Sequence, residues 1–318
     1  MRIFFASDVH GSETCFRKLV NAGAFYGVDY LIMGGDLAGK ELVPVVRSGP
    51  GAASGWRATF RGGSFALETD AEAAEFERRV ATVGAYTLRT DEEFVRQLRD
   101  DQELVEETLH RLVLDRTEQW VALAAERLRG SGRRLLIGLG NDDYDDMVPY
   151  LDQDGLDCVG YAHDGLLELD GGFTLASLGW SNVTPWRTHR ELTEVELEER
   201  LTELEASTDP ARTIFNVHVP PYGSGLDEAP RLGDDLRVQL VGGQPDLVPV
   251  GSTAVARGIA AYQPLLSLHG HIHEGRGVVK TGRTTVVNPG SEYDQASLLG
   301  ALLEVKPGKV KRCQLVTG

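Results

Sequence analysis

The sequence predicts an α/β fold with α+β character, in which polar residues follow the ends of parallel strands. Residues 2–7 and 30–33 are short apolar runs typical of buried strands, and a helix that begins near Ser12 lies between them. A strand, a helix and a strand within about thirty residues form a βαβ unit, whose strands are parallel. Antiparallel strands are then predicted to close the chain, at 277–280, 284–287, 301–305 and 310–315.

Length and composition are those of a globular protein. The chain has 318 residues, of which 42% are apolar and 25% are charged, so it can bury a sizeable core. We expect a single domain over residues 1–318, with an embedded loop-plus-helical insertion at residues 40–130. The three cysteines are far apart, which argues against a disulfide framework or a thiolate metal site.

The apolar run after Met1 is too short for a signal peptide, and no apolar stretch approaches the length of a membrane span. We therefore expect a cytoplasmic protein without a membrane partner. The net charge of −16 repels nucleic acids, so a non-specific nucleic-acid binder or a nuclease acting on long nucleic acid is disfavoured. A small anionic substrate is compatible with this charge, because bound cations can invert the local field inside a cleft.

Residues 40–67 are rich in Gly and Ser and carry four basic side chains against one acidic side chain. Two interpretations stay open for this segment. It is either a mobile surface loop or a lid whose arginines, Arg47, Arg57 and Arg61, bind a phosphate.

Residues 69–130 have a helical pattern, with the spacing of a capping box after Thr69 and again after Thr90. A single helix over the second part would be unusually long, so we expect a break near residues 100–101. Its apolar stripe is most simply a core or helix–helix contact, with a homo-oligomer interface as the alternative.

The rest of the chain alternates strands with helices. Apolar runs and turn residues predict strands at 133–138, 165–169, 173–178, 213–217 and 264–268, and helices at 191–206 and 252–262. The Asp170-Gly171-Gly172 turn joins the second and third of these strands into a hairpin.

Side chains able to bind a metal follow five of the predicted strands. Ligand sites in parallel sheets lie beyond the carboxyl ends of the strands, so these side chains should converge. His271 and His273 are two residues apart and point to the same face of an extended strand, and Gly270 lets the backbone approach what they bind. The candidate ligands are Asp8, His10, Asp36, Asn141, His218, His271 and His273.

Each candidate also has a purely structural interpretation. Asp8 and Asp36 could cap helices, Asn141 could serve in a turn, and His218 could be a packed histidine before two prolines. However, four of the eight histidines follow strand ends together with these two aspartates, so coincidence is the weaker interpretation.

The residue types indicate which metals would bind. Carboxylates and imidazoles without thiolates suit Mn, Fe, Zn, Co or Ni. The carboxylate of Asp36 has two oxygens and can bridge two cations about 3.5–4 Å apart. Without metal, Asp8 and Asp36 would be close like charges in a partly dry cleft, which is costly. The sequence therefore predicts two divalent transition-metal ions, with Mn favoured.

These residues lie in five ordered motifs that resemble those of the calcineurin-like metallophosphoesterases. Three further segments, 218–223, 226–230 and 288–291, resemble a narrower branch, the predicted prokaryotic phosphoesterases related to bacterial cyclic-AMP phosphodiesterase. The resemblance does not cover the helical stretch 69–130. The five motifs are Asp8-Val9-His10, Gly34-Gly35-Asp36, Gly140-Asn141-Asp142, Asn216-Val217-His218 and Gly270-His271-Ile272-His273.

The resemblance implies a four-layer αββα sandwich of two mixed β-sheets, of the metallo-dependent phosphatase type, with a dinuclear site at one edge. It implies that Asp36 is shared by both metals. One metal would be held with Asp8, His10 and His273, and the other with Asn141, His218 and His271.

The resemblance also implies an enzyme, a phosphoester hydrolase in which a metal-bound hydroxide attacks phosphorus in line with the leaving group. Phosphodiesters are favoured over monoesters, and the expected partner is a small phosphoester, with nucleotide-like substrates included. The alternative is a metal-binding scaffold or regulatory protein on the same fold that has little or no catalytic activity. The expected catalytic residues are Asp36, Asn141, Asp142 and His218.

Asp142 is a departure from the family pattern. Many members of the family have a histidine directly after the motif asparagine, which is thought to protonate the leaving group. Two nearby dications favour the ionised form of Asp142, so we expect it to be a poor proton donor. The sequence then predicts a preference for good leaving groups, or an acid from elsewhere, with His163 or His189 as candidates.

Overall fold

The structure is a computed structural model and describes residues 1–49, 55–153, 155–233 and 235–318. Seven α-helices lie in these ranges: α1 Glu13–Tyr26, α2 Asp70–Ala81, α3 Glu92–Asp100, α4 Gln102–Leu128, α5 Val148–Leu151, α6 Glu194–Glu205 and α7 Thr253–Tyr262. None of these described helices combines the length and the apolar character that crossing a membrane requires.

One six-stranded sheet contains the first strand of the chain and its last two. In spatial order it consists of β22 (Lys309–Thr317), β21 (Leu299–Lys306), β1 (Arg2–Ala6), β2 (Tyr30–Met33), β7 (Arg134–Ile137) and β8 (Val159–Tyr161). The four strands β1, β2, β7 and β8 are parallel, whereas β21 and β22 are antiparallel, as predicted for the end of the chain.

The second six-stranded sheet is also mixed. Its order is β19 (Gly277–Thr281), β20 (Thr284–Asn288), β18 (Leu266–Leu268), β13 (Thr213–Val217), β10 (Phe173–Leu178) and β9 (Gly165–Leu169). The central four strands are parallel, and the edge strands β9 and β19 are antiparallel to their neighbours. The predicted hairpin of β9 and β10 is confirmed, with Gly171 and Gly172 at positive φ in its turn.

Alternate side chains of β1 show how the layers pack. Ile3 and Phe5 belong to an apolar core with residues of the second sheet, such as Leu175 and Leu266. Phe4 and Ala6 belong to another core on the outer face, with helices α1, α4 and α5. Helices α6 and α7 cover the outer face of the second sheet in the same way. The order is therefore helices, sheet, sheet, helices, and the predicted αββα sandwich is confirmed.

The ends of the helices follow the local sequence. The Ser12 hydroxyl accepts a hydrogen bond from the Cys15 amide at the start of α1, and Gly27 ends that helix in the left-handed conformation. Thr193 and Glu196 form a full capping box, so α6 begins at Glu194 rather than at residue 191.

The loop predicted for residues 40–67 is wrong for its described part, which forms strands of a four-stranded sheet. In spatial order these are β5 (Gly63–Leu67), β4 (Trp56–Phe60), β3 (Leu42–Arg47) and β6 (Tyr86–Thr90). One face of this sheet packs on α2 in a small core of its own. The lid interpretation of residues 50–54 lies outside the described residues.

The helical prediction for residues 69–130 is right for α2, α3 and α4 and wrong for β6. The predicted break is confirmed, because α3 ends at Asp100 and α4 starts at Gln102 with Asp101 as its cap. The cap of α3 is Asp91 rather than Thr90. The short remaining strands are β11 (Ser181–Asn182), β12 (Glu191–Leu192), β14 (Glu228–Pro230), β15 (Leu240–Val241), β16 (Gln244–Pro245) and β17 (Leu247–Pro249).

Candidate metal centre

The structure brings all seven candidate ligands together at one edge of the sandwich. Each of them follows the carboxyl end of a parallel strand, in the order β1, β2, β7, β13 and β18. The two sheets present these ends side by side, which is where ligand sites form in parallel sheets. Five of the seven are almost fully buried, while His271 and His273 are partly exposed.

The side chains form groups that could each hold a metal ion. One group is Asp8, His10 and His273, and another is Asp36, His218 and His271, with donor atoms within 4.8 Å of one another in each group. A third group joins His10 and Asp36 to Asp142. Each of the first two groups contains three of the four ligands that the resemblance implies for one metal.

The histidines are held with their Nε2 atoms toward this centre. His10 Nδ1 donates to the Ala38 carbonyl, and His218 Nδ1 donates to the Gly34 carbonyl, at 3.0 Å each. In the neutral imidazoles these bonds place the proton on Nδ1 and leave the Nε2 lone pair free. His10 Nε2 then lies 3.0 Å from His273 Nε2, and His218 Nε2 lies 3.1 Å from Asn141 Oδ1. Such a convergence of lone pairs fits a bound cation.

The electrostatics also fit a cationic occupant. Burial lowers the pKa of His10 and of His271 to about 3, so both imidazoles stay neutral and available as ligands. Burial alone would lower the pKa of His218 as well, but the carboxylates of Asp36 and Asp8 raise it to about 10. Burial would raise the pKa of Asp36, yet His218 and His10 hold it well below its usual range. The two aspartates therefore favour a positive charge at this centre, from a protonated His218 or from a bound cation.

The backbone at this centre is strained. Asp8, His10, Asp36 and His271 all have φ between 38° and 66°, in the left-handed region that non-glycine residues rarely adopt. Each such residue costs roughly 1–3 kcal/mol, which the surrounding structure must offset. The strain lies at four of the seven candidate ligands, and strained backbone conformations of this kind cluster at functional sites.

Gly270 is required by a close approach. A Cβ atom on this residue would lie 2.1 Å from Ser7 Oγ and 2.3 Å from Asp8 Oδ2. Its absence lets the next residue reach the first strand end, where the His271 amide donates to the Asp8 carboxylate at 2.9 Å. The strand ends of the two sheets are joined by this contact.

Buried polar residues that the sequence did not single out support the ligands. Asp143 accepts from the Ala38 and Gly140 amides at 2.8 Å each, which ties the loops after β2 and β7 together. Asn288, which lies in a segment that carried the resemblance, donates to the Gly270 and Ile272 carbonyls. The available signals were the run of two carboxylates, Asp142-Asp143, after Asn141, and the position of Asn288 before Pro289-Gly290.

The inserted segment also supports the centre. Arg116 of α4 lies 4.0 Å over the Tyr86 ring and donates to the Gly11 carbonyl at 2.7 Å. The Tyr86 hydroxyl accepts from the Gly39 amide at 3.3 Å. The loops that carry His10 and Asp36 are thus held from outside by β6 and α4.

Two histidine assignments are resolved by position. His269 is fully buried and bonded to Ser267 and to the Val217 and Val219 carbonyls, so it belongs to the core. His163 and His189, the candidate acids, pack against Tyr161 and Tyr144. Among the described residues, neither histidine lines the cleft that opens onto the centre.

Asp142 lies at the mouth of the centre in an ion pair with Lys40, at 2.5 Å. Burial and the neighbouring Asp36 raise the pKa of Asp142 to about 8 in the metal-free chain, against the lowering effect of Lys40. The Lys40 side chain is 61% exposed and is a cation beside the candidate ligands that the sequence did not single out.

The arginines proposed for a lid contact other residues, away from the cleft. Arg47 lies 4.8 Å over the Trp56 ring, Arg57 pairs with Glu92, and Arg61 donates to the Asp294 carbonyl. None of the three lines the cleft within the described part of the chain. The lid interpretation is therefore wrong for these arginines.

Thr188 orients a candidate ligand from another segment. Its hydroxyl accepts from the Asn141 amide nitrogen and donates to Glu191, at 2.8 Å each, which directs Asn141 Oδ1 toward His218. We expect Thr188→Val to weaken metal binding by about 10–100-fold, because this partner of a ligand is lost. Titration of the metal-free protein with Mn²⁺ measures the effect.

Thr184→Val is the matched control for Thr188→Val. The Thr184 hydroxyl donates to the same Glu191 at 2.6 Å, but it does not contact Asn141. Equal metal affinities for the two variants would show that Thr188 does not orient the ligand.

A cleft of about 530 Å³ opens onto the centre. His10, Asp36, Asn141, His271 and His273 lie in its wall together with Lys40 and Asp142. The cleft therefore gives a small molecule access to five of the seven candidate ligands.

The sequence similarity found to a known protein covers part of the chain. No protein-family model matches the chain. A protein of Methanocaldococcus jannaschii described as uncharacterized is 33% identical over 115 residues, which are 35% of this chain and 45% of that protein. The match therefore spans less than half of that relative.

Solved structures are similar over the full length of the chain. A protein of Thermus thermophilus superposes with a TM-score of 0.54 at 16% identity, covering 100% of this chain and 97% of that one. Another structure gives 0.57 at 16% identity, covering 99% and 98%. An archaeal phosphodiesterase covers 100% of both chains at 11% identity, but its TM-score of 0.33 is too low to compare the folds further. The first two show that this architecture recurs in other proteins.

Proposed function

We propose that the protein is a metal-dependent phosphoesterase that hydrolyses small phosphodiesters in preference to monoesters. The observation that carries the proposal is the convergence of seven oxygen and nitrogen donors from five strand ends on one centre, in groups that could hold metal ions. Carboxylate, amide and imidazole donors without thiolate suit Mn, Fe, Zn, Co or Ni, and Mn is the ion we favour.

Asp36 is the residue we assign to both metals. Its carboxylate oxygen Oδ2 lies 3.4 Å from His218 Nε2 and 3.6 Å from His10 Nε2, so it faces both groups of ligands. Asp8, His10 and His273 would complete one site, and Asn141, His218 and His271 the other. When bound, two such cations supply Lewis-acid polarisation of the phosphoryl group and neutralise the charge that develops on it.

Two further residues of the cleft would act on the substrate, Lys40 directly and Asp142 through Lys40. The Lys40 ammonium group provides a positive charge beside the centre, suited to an anionic phosphoryl oxygen. Asp142 holds Lys40 at this position through their ion pair. The cleft volume of about 530 Å³ and the net charge of −16 both favour a small substrate over long nucleic acid.

Metal content and hydrolysis, measured on the same preparation, test the proposal. The protein is stripped with a chelator and reloaded with Mn²⁺. Bound metal per chain is then measured together with hydrolysis of bis(p-nitrophenyl) phosphate and p-nitrophenyl phosphate. We expect two bound ions, no hydrolysis without metal and faster hydrolysis of the diester.

A pair of histidine variants provides the control. His273→Ala removes a candidate ligand and should lower both metal content and turnover. His163 does not line the cleft, so His163→Ala should leave both unchanged. Metal bound without turnover of either ester would indicate a scaffold protein, and failure to bind metal would exclude the proposed centre.

A further inference from the structure

The outer part of the cleft is lined mainly by apolar side chains, with Arg231 and Glu274 as the charged residues among them. One wall is formed by residues 182–188 and the other by the segments around β14 and β17. The apolar residues of these walls include Val183, Trp186, Val238, Val248 and Val250. The polar inner part, with the candidate ligands and Lys40, therefore continues into an apolar outer part of the same cavity.

Several of these side chains are exposed although they are large and apolar. Trp186 is 59% exposed, Val183 is 58% exposed and Val238 is 47% exposed. Single exposed apolar residues are ordinary on protein surfaces, but a group that lines one cleft beside polar donors is typical of a ligand site.

The apolar wall is fixed relative to the candidate ligands. Thr188, two residues after Trp186, holds the Asn141 amide at 2.8 Å. The Trp186 amide donates to the Thr184 hydroxyl at 3.2 Å, which makes a local turn. The Asn182 amide nitrogen donates to the Val250 carbonyl at 3.2 Å and so joins the two walls. The spacing between the centre and the apolar surface is thereby set by hydrogen bonds.

We propose that this apolar region is a subsite for an uncharged aromatic substituent that stays on phosphorus, on the non-leaving side of a phosphoester whose phosphoryl group lies at the metal centre. The inference rests on the proposed function and names the class of substrate. An aromatic ring can stack on the Trp186 indole and pack against the valines of the opposite wall. An anionic phosphoryl group suits the inner part, where Lys40 and the metal ligands lie.

Two substrates that differ only in the proposed subsite group provide the test. They are p-nitrophenyl phenylphosphonate and p-nitrophenyl methylphosphonate, which share the leaving group and the charge. We expect kcat/KM of the Mn²⁺-loaded enzyme to be at least about tenfold higher for the phenyl compound. Trp186→Ala should reduce this ratio by several-fold, mainly through KM, because the phenyl group takes no part in bond breaking.

Phe25→Ala is the matched control, since Phe25 is an aromatic residue that is 81% exposed on α1 and does not line the cleft. It should leave the phenyl-to-methyl ratio unchanged, and Trp186→Phe should retain most of it. A wild-type ratio near one, or a ratio that Trp186→Ala does not alter, would overturn the subsite.

A binding measurement separates this inference from the proposed function. Calorimetric titration of the Mn²⁺-loaded protein with phenylphosphonate and with methylphosphonate should give tighter binding of the phenyl compound, with a loss of that difference in Trp186→Ala. If neither p-nitrophenyl phosphonate is hydrolysed but phenylphosphonate still binds more tightly than methylphosphonate, the proposed function fails and the subsite stands. Equal binding of the two phosphonates excludes an aromatic subsite and leaves a protein partner as the occupant of the apolar walls.

Discussion

Replacing Asp36 by asparagine should remove at least one bound metal ion and lower phosphoester hydrolysis by roughly three orders of magnitude. The Asp36 carboxylate faces both His10 and His218, and asparagine keeps its shape while removing the charge and one oxygen. Loss of several kcal/mol of transition-state stabilisation corresponds to a rate decrease of this size. Elemental analysis gives the metal content, and kcat/KM for bis(p-nitrophenyl) phosphate gives the activity.

Asp115→Asn serves as the control for Asp36→Asn. Asp115 is exposed on α4, so the same chemical change there should alter neither metal content nor turnover. Full metal content and undiminished turnover in Asp36→Asn would contradict the assignment of Asp36 to both metals. Circular dichroism of both variants would show that the fold is retained.

Esters with aryl leaving groups should be hydrolysed about 10²–10⁴ times faster than otherwise identical alkyl esters. General acid catalysis contributes about this factor, and an aryl oxide leaves without needing a proton. In the metal-free chain, burial and Asp36 raise the pKa of Asp142 to about 8, but divalent cations bound at the neighbouring ligands would favour its ionised form. Phenyl and ethyl esters of methylphosphonate allow the comparison.

Substitutions of Asp142 test whether the preference for aryl leaving groups arises from the lack of a general acid at this position. Asp142→His introduces a side chain that can donate a proton near neutral pH, so the advantage of the aryl ester should shrink. Asp142→Ala should leave the advantage in place. Equal rates for the two esters in the wild type, unaltered by Asp142→Ala, would show that the acid lies elsewhere.

Much of the sandwich was predictable, because its strands carry strong local signals. The apolar run of β1 and the helix that Ser12 caps have patterns that their neighbours alone determine. The sheet of the inserted segment was missed although it had a signal. Gly62 and Gly63 follow the alternating strand β4, and Arg61 and Gly62 have the positive φ values of a tight hairpin turn. The abundance of Gly and Ser drew the prediction toward a loop instead.

The candidate ligands were predictable for a related reason. A polar residue directly after a buried parallel strand lies at the sheet edge whatever the rest of the fold does. Their positions after strands were therefore enough to assign five residues to one site. These are Asp8, Asp36, Asn141, His218 and His271. The hydrogen-bond partners that orient these ligands could not be predicted, because a backbone carbonyl acceptor such as that of Ala38 has no signature in the sequence.

By itself, the sequence determined the types of donor and the strand ends that carry them, because both depend on short runs of neighbouring residues. Only the tertiary structure decided which distant side chains meet. Thr188 reaches Asn141 across 47 positions, and Lys40 reaches Asp142 across about a hundred. The apolar wall around Trp186 likewise arises from segments that are separated along the chain. Such contacts depend on how two sheets and their loops pack, and no local pattern encodes that packing.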